Sequence, residues 1–233
     1  RAGPCLSSED ERNSLESSCA PDHNGGMKFS RLLLLFVMVM ACVQIGMPGA
    51  RAQSRDAQKL RPGRLLVAGN DTMDPNFAES VILIVDYTED GAFGLIINRQ
   101  TNLTVSRGMP QLRGADGHSG LIYLGGPVGR NNAMALIKDH DEPHPNKHIF
   151  DEVYLISRKA ELEAVLSAGA GDDSLRLYVG YSGWGPGQLD NEVERGDWYI
   201  FDAKEDIVFD AEPETLWSRL IAQTELRTAQ VFK

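Results

Sequence analysis

Glycines and large aromatic residues alternate in residues 180–188, which read GYSGWGPGQ. Glycine allows the backbone to adopt positive φ angles and to approach another surface closely. A helix is predicted from Gln188, with acidic residues in its first turn that complement the positive end of its dipole. A strand, a glycine turn that carries Tyr181 and Trp184, and a helix start are together typical of a binding site. This combination alone specifies no reaction.

One chemistry to weigh is phosphate binding, because glycines before a helix expose backbone N–H groups to an anion. The spacing matches neither G-x-x-x-x-G-K-[ST] nor G-x-G-x-x-G. Asp190 and Glu192 also place negative charge where an anion would bind. The favoured interpretation of the glycines is therefore a tight turn around Trp184.

A second chemistry is serine hydrolysis through Ser182, which lies in the sequence Gly-Tyr-Ser-Gly-Trp. This sequence lacks the final glycine of a G-x-S-x-G nucleophile elbow. A serine nucleophile also needs a base, and the histidines downstream of residue 52 all lie in polar loops. A serine hydrolase is kept as an alternative function.

A third chemistry is metal binding by His140, His144 and His148, which are spaced by four with acidic neighbours. On a helix this spacing would place the three rings on one face, but Pro143 and Pro145 disfavour a helix here. A loop could still gather the rings around zinc or copper. Surface histidines without a ligand are the favoured interpretation, and a metal-dependent hydrolase is the alternative.

Polar and glycine residues also follow two predicted strands. Asn98 and Arg99 end one apolar strand, where a polar pair can face a cleft or hold a neighbouring turn. We predict a ligand site where this strand end meets the turns at residues 125–128 and 180–188. No catalytic residue and no cofactor are predicted, and the ligand is an unidentified small molecule or protein. The predicted ligand-binding residues are Asn98, Arg99, Gly125, Gly126, Pro127, Tyr181, Ser182, Trp184 and Gln188.

The charge balance disfavours nucleic acid as a partner. Asp and Glu outnumber Lys and Arg by 33 to 23, which gives a net charge of −10. A protein that binds a phosphate backbone gains affinity by neutralising phosphates with cations. No run of basic residues offsets the acidic balance locally.

The N-terminal part of the chain resembles an export signal. Residues 1–26 are polar and aperiodic, and are interpreted as disordered or as upstream read-through. Residues 27–52 combine basic residues, a short apolar run and an Ala-x-Ala site, which predicts a signal peptide cut after Ala52 and a periplasmic or cell-envelope protein. Lipidation at Cys42 and an uncleaved membrane anchor are the alternatives. A product cut after Ala52 has no disulfide, because all the cysteines precede that site: Cys5, Cys19 and Cys42.

The remaining chain predicts a linker at residues 53–62, one domain at 63–225 and a C-terminal tail at 226–233. The domain is expected to be α+β (mixed α/β), with a mixed β-sheet flanked by helices. The near-continuous apolar character of residues 81–86 and 91–98 predicts a central hairpin covered on both faces. Other strands or apolar runs are predicted at 64–69, 121–124, 133–138, 149–157, 175–179, 198–202 and 207–209, and helices at 103–109, 159–168, from Gln188 and from Pro213.

Five short motifs occur in order along this domain, at residues 63–68, 73–81, 91–99, 125–128 and 180–192. In this combination the chain resembles the YqgE/AlgH family of bacterial proteins.

The resemblance implies no established mechanism, because family members are mostly described as uncharacterised. Some carry a transcriptional-regulator label, which is a further alternative function, although no helix-turn-helix is recognisable here. The family is generally taken to be cytoplasmic, which is the alternative to export. Gln100, Ser182 and Asp190 stand where the family usually has proline, alanine and glutamate.

Overall fold

The computed structural model describes residues 60–72, 74–140 and 146–231. The predicted signal segment at residues 27–52, Cys42 and His144 lie outside the described residues, as does most of the linker. Among the residues that are described, no helix combines the length and hydropathy needed to cross a bilayer.

Ten strands form one sheet in the described residues. They are β1 (Arg64–Ala68), β2 (Val81–Thr88), β3 (Gly91–Ile96), β4 (Gln100–Thr104), β5 (Leu121–Leu124), β6 (Val128–Lys138), β7 (Lys147–Phe150), β8 (Val153–Ile156), β9 (Leu175–Trp184) and β10 (Trp198–Asp202). The strand order is β10-β1-β2-β3-β9-β6-β8-β7, and β5 pairs with both β4 and β9. Of the strand pairs described, β5 with β9 is parallel and the others are antiparallel.

The helices described are α1 (Val105–Gly108), α2 (Lys159–Ser167), α3 (Gln188–Arg195), α4 (Glu205–Val208) and α5 (Leu216–Val231), with a 3-10 turn at Pro213–Thr215. The predicted α+β class with a mixed sheet is confirmed at this level, although strands dominate. Helix α5 extends into residues 226–231, which the sequence assigned to a tail.

The predicted central hairpin is confirmed as β2 and β3, which turn between Thr88 and Gly91. Successive side chains of a strand point to opposite faces of a sheet. In β1, Leu65 belongs to a core covered by α5, while Leu66 belongs to a second core covered by α3, and both side chains are fully buried. The sheet is therefore covered on both faces here, as its apolar runs predict.

Strand β9 joins the two halves of the sheet. Its first half pairs in parallel with β5, and its last residues pair with β3, while β6 runs along its other edge. The change of partner falls at Gly180, whose φ is +70°. The prediction that the strand ends at Val179 and turns is wrong, because Gly180 bends the chain without ending its pairing.

Three other boundaries differ from the sequence prediction. The helix predicted at residues 103–109 is shorter, because its first residues belong to β4, a polar strand at the sheet edge. The strand predicted at 149–157 is divided by Asp151, whose φ of +41° reverses the chain into a hairpin. The apolar run at 207–209 falls in and just after α4, since the N–H groups of Ile207 and Val208 both donate to the Lys204 carbonyl.

Two glycines with similar positive φ test the importance of the bend. A Cβ at Gly180 (φ +70°) would lie 2.5 Å from the Gly126 carbonyl oxygen, whereas a Cβ at Gly169 (φ +79°) would meet nothing within 4 Å. We expect Gly169→Ala to cost about 1–2 kcal/mol, because only the left-handed backbone is strained. Gly180→Ala should cost a further amount of about 1–3 kcal/mol from overpacking, or prevent folding. Urea denaturation measures both losses, and equal losses would contradict the tight contact.

Candidate functional site

The two predicted glycine segments meet backbone to backbone. The Gly125 N–H donates to the Val179 carbonyl at 2.9 Å, and the Gly125 carbonyl accepts from the Ile96 N–H at 2.9 Å. A Cβ at Gly126 would lie 2.2 Å from the carbonyl carbon of Tyr181. We call this contact between residues 125–126 and 180–182 the glycine junction. Pro127 follows it, half-buried. The contact leaves no space for a ligand between the segments.

Ser182 belongs to the glycine junction. Its side chain is fully buried, and its Oγ donates to the Gly125 carbonyl at 3.2 Å. The hydroxyl therefore links two backbone segments and is not presented to a substrate.

The side chains of Asn98 and Arg99, which follow β3, hold the turn at residues 76–80. Asn98 accepts from the Val81 N–H at 2.8 Å and donates to the Glu79 carbonyl at 2.9 Å. Arg99 donates to two carbonyls of the same turn, those of Asn76 at 2.5 Å and Ala78 at 3.0 Å. Burial lowers the pKa of Arg99, and a nearby carboxylate opposes the shift. The strand end does lie beside the glycine junction, because the Arg99 carbonyl accepts from the N–H of the residue before Gly125.

Trp184 belongs to an aromatic cluster anchored on Glu192. The indole N–H groups of Trp184 and Trp198 donate to the same Glu192 oxygen, at 2.8 and 2.9 Å. Phe77 packs against both indoles, with ring centroids 6.1 and 5.8 Å away. Gln188 donates to the other Glu192 oxygen at 3.0 Å. Both indoles are buried, so these contacts fix α3 against the ends of β9 and β10.

Asp190, the other acidic residue near the start of α3, is also engaged. It accepts a hydrogen bond from the Tyr87 hydroxyl at 2.6 Å. Burial, followed by this hydrogen bond, raises the pKa of Tyr87 to about 12. Both carboxylates that disfavour phosphate binding therefore serve packing.

Tyr181 points away from this cluster into a separate cleft. Its ring contacts that of Phe93, with centroids 4.7 Å apart. The cleft has a volume of about 540 Å³ and is bordered by the start of α2 and the exposed first half of β6. We call it the amide cleft, because three carboxamides line it. Its lining residues are Phe93, Gln111, Leu112, Asn131, Asn132, Ala133, Met134, Ser157, Lys159, Leu162 and Tyr181.

The amide and hydroxyl side chains of the amide cleft are exposed. Within the described residues, the side chains of Gln111, Asn131, Asn132 and Ser157 form no hydrogen bond. Lys159 forms a surface ion pair, 3.7 Å from Glu163. The cleft therefore presents donors and acceptors beside two aromatic rings.

Two backbone features shape the cleft around Tyr181. A Cβ at Gly129 would lie 3.0 Å from the Tyr181 ring, and a Cβ at Gly183 would lie 3.2 Å from it. The ring therefore lies close to both positions, and a Cβ at either of them would require it to shift by a few tenths of an ångström. Gly129 also has a φ of +60°, in the irregular part of β6 that brings Asn131 and Asn132 to the cleft.

The loop that carries Gln111 is held against α2. A Cβ at Gly114 would lie 2.4 Å from the Ser167 backbone nitrogen, so the loop and the helix touch. The Arg113 Nε lies 3.1 Å from a Glu163 oxygen. This hydrogen bond lowers the pKa of the Glu163 carboxyl, an effect that partial desolvation opposes.

The histidines are engaged locally where the structure describes them. His140 contacts the Glu152 carboxylate, and His148 Nε2 lies 2.7 Å from the Asp151 carbonyl. Among the described residues, no group of three or more His, Cys, Asp or Glu side chains could hold a metal. His144 is not among them, so the three-histidine site stays a prediction.

The predicted site residues therefore divide between packing and the cleft. Tyr181 lines the amide cleft, whereas most of the others form the glycine junction or hold turns. Sequence reasoning missed the rest of the cleft lining. The signal available was the polar sequence RNN at residues 130–132, between the Gly-Gly-Pro corner and an apolar strand.

The described chain is thus an α+β domain whose sheet bends at a glycine junction beside an aromatic, amide-lined cleft. A family model described as AlgH-like matches residues 65–229, and the chain belongs to this family. The resemblance to YqgE/AlgH proteins is confirmed.

Two relatives are named only as UPF0301 proteins. A UPF0301 protein of Mycobacterium leprae is 33% identical over 175 residues, which cover 73% of this chain and 85% of that protein. A UPF0301 protein of Chlorobium limicola is 33% identical over 164 residues, covering 70% and 86%. The solution structure of AlgH from Pseudomonas aeruginosa matches with a TM-score of 0.56 and 29% identity, over 69% of this chain and 86% of that one. A crystal structure from Corynebacterium diphtheriae shares the fold, with a TM-score of 0.58 and 23% identity over 70% and 87%.

The Glu192 anchor can be tested with two substitutions in one helix. Glu192→Ala should lower the free energy of unfolding by about 2–4 kcal/mol, because it leaves two buried indole N–H groups without an acceptor. Glu194→Ala makes the same change at an exposed position of α3 and should cost less than about 0.5 kcal/mol. Urea denaturation followed by tryptophan fluorescence measures both. Similar values for the two variants would show that Glu192 is not an anchor.

The clamp between Arg113 and Glu163 predicts a pH dependence. A carboxyl whose pKa is lowered by folding stabilises the protein above its unfolded pKa of about 4.3, and this contribution is lost as pH falls through the lower folded value. Glu163→Gln should therefore flatten the fall of stability below about pH 4.3. Denaturation at pH 2 to 6 measures the slope, with Glu194→Gln as the exposed control. An unchanged slope in Glu163→Gln would contradict the clamp.

Proposed function

We propose that this protein is a non-enzymatic binding domain whose ligand, a small molecule, occupies the amide cleft. The single observation that carries the proposal is the set of side-chain amides that lie beside the Phe93 and Tyr181 rings without a hydrogen bond in the described residues. Ligand sites combine apolar surface with a few convergent polar groups in volumes of about 300–1,000 Å³. The cleft, at about 540 Å³, lies within this range.

The proposal refines the site predicted from sequence. Tyr181 is the predicted residue that lines the cleft, and its own backbone in β9 forms part of the glycine junction. The ligand would therefore contact the Tyr181 ring and would not lie between the two strands of the junction. The roles of Asn98 and Arg99 in this proposal are structural, because their side chains hold the turn at residues 76–80.

Binding is favoured over catalysis by the composition of the lining. No carboxylate, histidine or cysteine is among the residues that line the cleft. Ser157 has no basic partner within hydrogen-bond distance in the described residues, so nothing there activates it as a nucleophile. The hydrolase and regulator alternatives have no comparable supporting observation, and the net charge of −10 opposes nucleic acid as the ligand.

The proposal predicts that small molecules perturb the cleft amides. In a fragment screen followed by NMR of the ¹⁵N-labelled protein, binders should shift the side-chain NH₂ signals of Gln111, Asn131 and Asn132. Asn132→Ala should weaken binding of a hit by about three- to ten-fold, the value of one net hydrogen bond. Asn191→Ala, at an exposed position of α3, should leave it unchanged.

Two results would contradict the proposed site. One is a screen in which no fragment shifts the cleft amides, and the other is a set of hits that all map to other surfaces. Equal effects of Asn132→Ala and Asn191→Ala would likewise remove Asn132 from the site.

A further inference from the structure

The charged residue that lines the amide cleft is a cation, although the whole chain is acidic, with a net charge of −10. Lys159 is the cation of the lining, and no carboxylate lines the cleft. Glu163 lies behind it, 3.7 Å from the Lys159 ammonium and 3.1 Å from the Arg113 guanidinium. The Glu163 carboxylate is thus shared between two cations, and Lys159 is the charged residue that lines the cleft itself.

Helix α2 adds to this positive character. Ser157 and Lys159, on either side of the helix N-cap residue Arg158, both line the cleft. The Arg158 side chain forms no cap, so it does not satisfy the first N–H groups of the helix. Glu161, the acidic residue of the first turn, is paired with Arg158. The start of α2, which is the positive end of its dipole, therefore lies beside the cleft without a side-chain cap from Arg158.

The aromatic rings of Phe93 and Tyr181 indicate that the ligand contains a planar ring. The rings of Phe93 and Tyr181 are tilted by 44° to each other, and the lining also includes Leu112 and Met134. Offset or tilted stacking against such rings favours a flat unsaturated ring. The carboxamides provide both donors and acceptors for polar substituents on the same ring.

We infer that the ligand of the amide cleft is a small aromatic or heteroaromatic anion, held by stacking on Phe93 and Tyr181 with its carboxylate or phosphate toward Lys159 and the start of α2. This inference rests on the proposed function and specifies the chemistry of its ligand. Either a carboxylate or a phosphate ester could supply the anionic group, and the experiment below distinguishes between them.

The experiment titrates the full chain with three probes, followed by the ¹⁵N–¹H signals of the cleft. Benzoate and phenyl phosphate carry the anion in its two forms, and benzamide is the neutral analogue of benzoate. We expect at least one anion to bind at least five-fold more tightly than benzamide at low salt, and expect this preference to fall at 0.5 M NaCl because salt screens exposed charges. The tighter anion identifies which form the cleft takes.

Substitution of Lys159 tests whether its charge contributes to anion binding. Lys159→Gln should reduce anion affinity by about five-fold, the upper end of what an exposed ion pair contributes, and should leave benzamide binding unchanged. Lys204→Gln removes an exposed lysine that does not line the cleft and should change neither.

The outcomes separate this inference from the proposed function. If benzamide and the anions bind the cleft equally, or if Lys159→Gln and Lys204→Gln behave alike, the inference about charge is wrong while the cleft remains a binding site. If none of the three probes shifts the cleft signals while other fragments do, the aromatic anion is wrong. If no small molecule shifts them, the proposed function fails as well.

Discussion

The structure depends on the direct contact of two backbone segments at the glycine junction. A Cβ at Gly125 would lie 2.4 Å from the Gly180 carbonyl oxygen, and one at Gly126 would overlap the Tyr181 backbone. Such contacts are possible only without side chains, and Gly126 and Gly180 also have positive φ. Because the contact holds, β9 can pair with β5 before the bend and with β3 after it. The two halves of the sheet are thereby joined through one strand.

The same bend determines which side chains are available to a ligand. Neighbouring residues of a strand face opposite sides of a sheet, so Ser182 and Trp184 point inward and are buried, whereas Tyr181 faces the amide cleft. Ser182 and Trp184 therefore serve packing, whereas Tyr181 contributes its ring to the amide cleft. Glu192 then holds Trp184 by accepting hydrogen bonds from its indole and from that of Trp198, which gives this acidic residue of α3 a structural role.

The sequence predicts the features that local patterns encode. The continuous apolar runs of β1 and β2 and the hairpin between β2 and β3 follow from residue types and spacing, as does the meeting of the two glycine segments. The continuation of β9 past Gly180 does not follow from them, because a glycine followed by aromatics is also typical of a turn. Whether the segment turns or continues as a strand is decided by its pairing with β3 and β6. The lining of the amide cleft was missed for a similar reason. Phe93, Asn131 and Lys159 lie far apart in sequence, and only the topology of the sheet brings them together.

The claim that the amide cleft beside the glycine junction is a binding site is tested most directly by a crystal structure of the protein grown with benzoate. The account predicts a benzoate ring against Phe93 and Tyr181, with its carboxylate within about 3–4 Å of the Lys159 ammonium and a cleft amide within hydrogen-bond distance. It would be contradicted by a structure in which the amides of Asn131 and Asn132 close the cleft by bonding to the protein itself, or by structures in which benzoate, phenyl phosphate and the hits of the fragment screen all occupy only other surfaces.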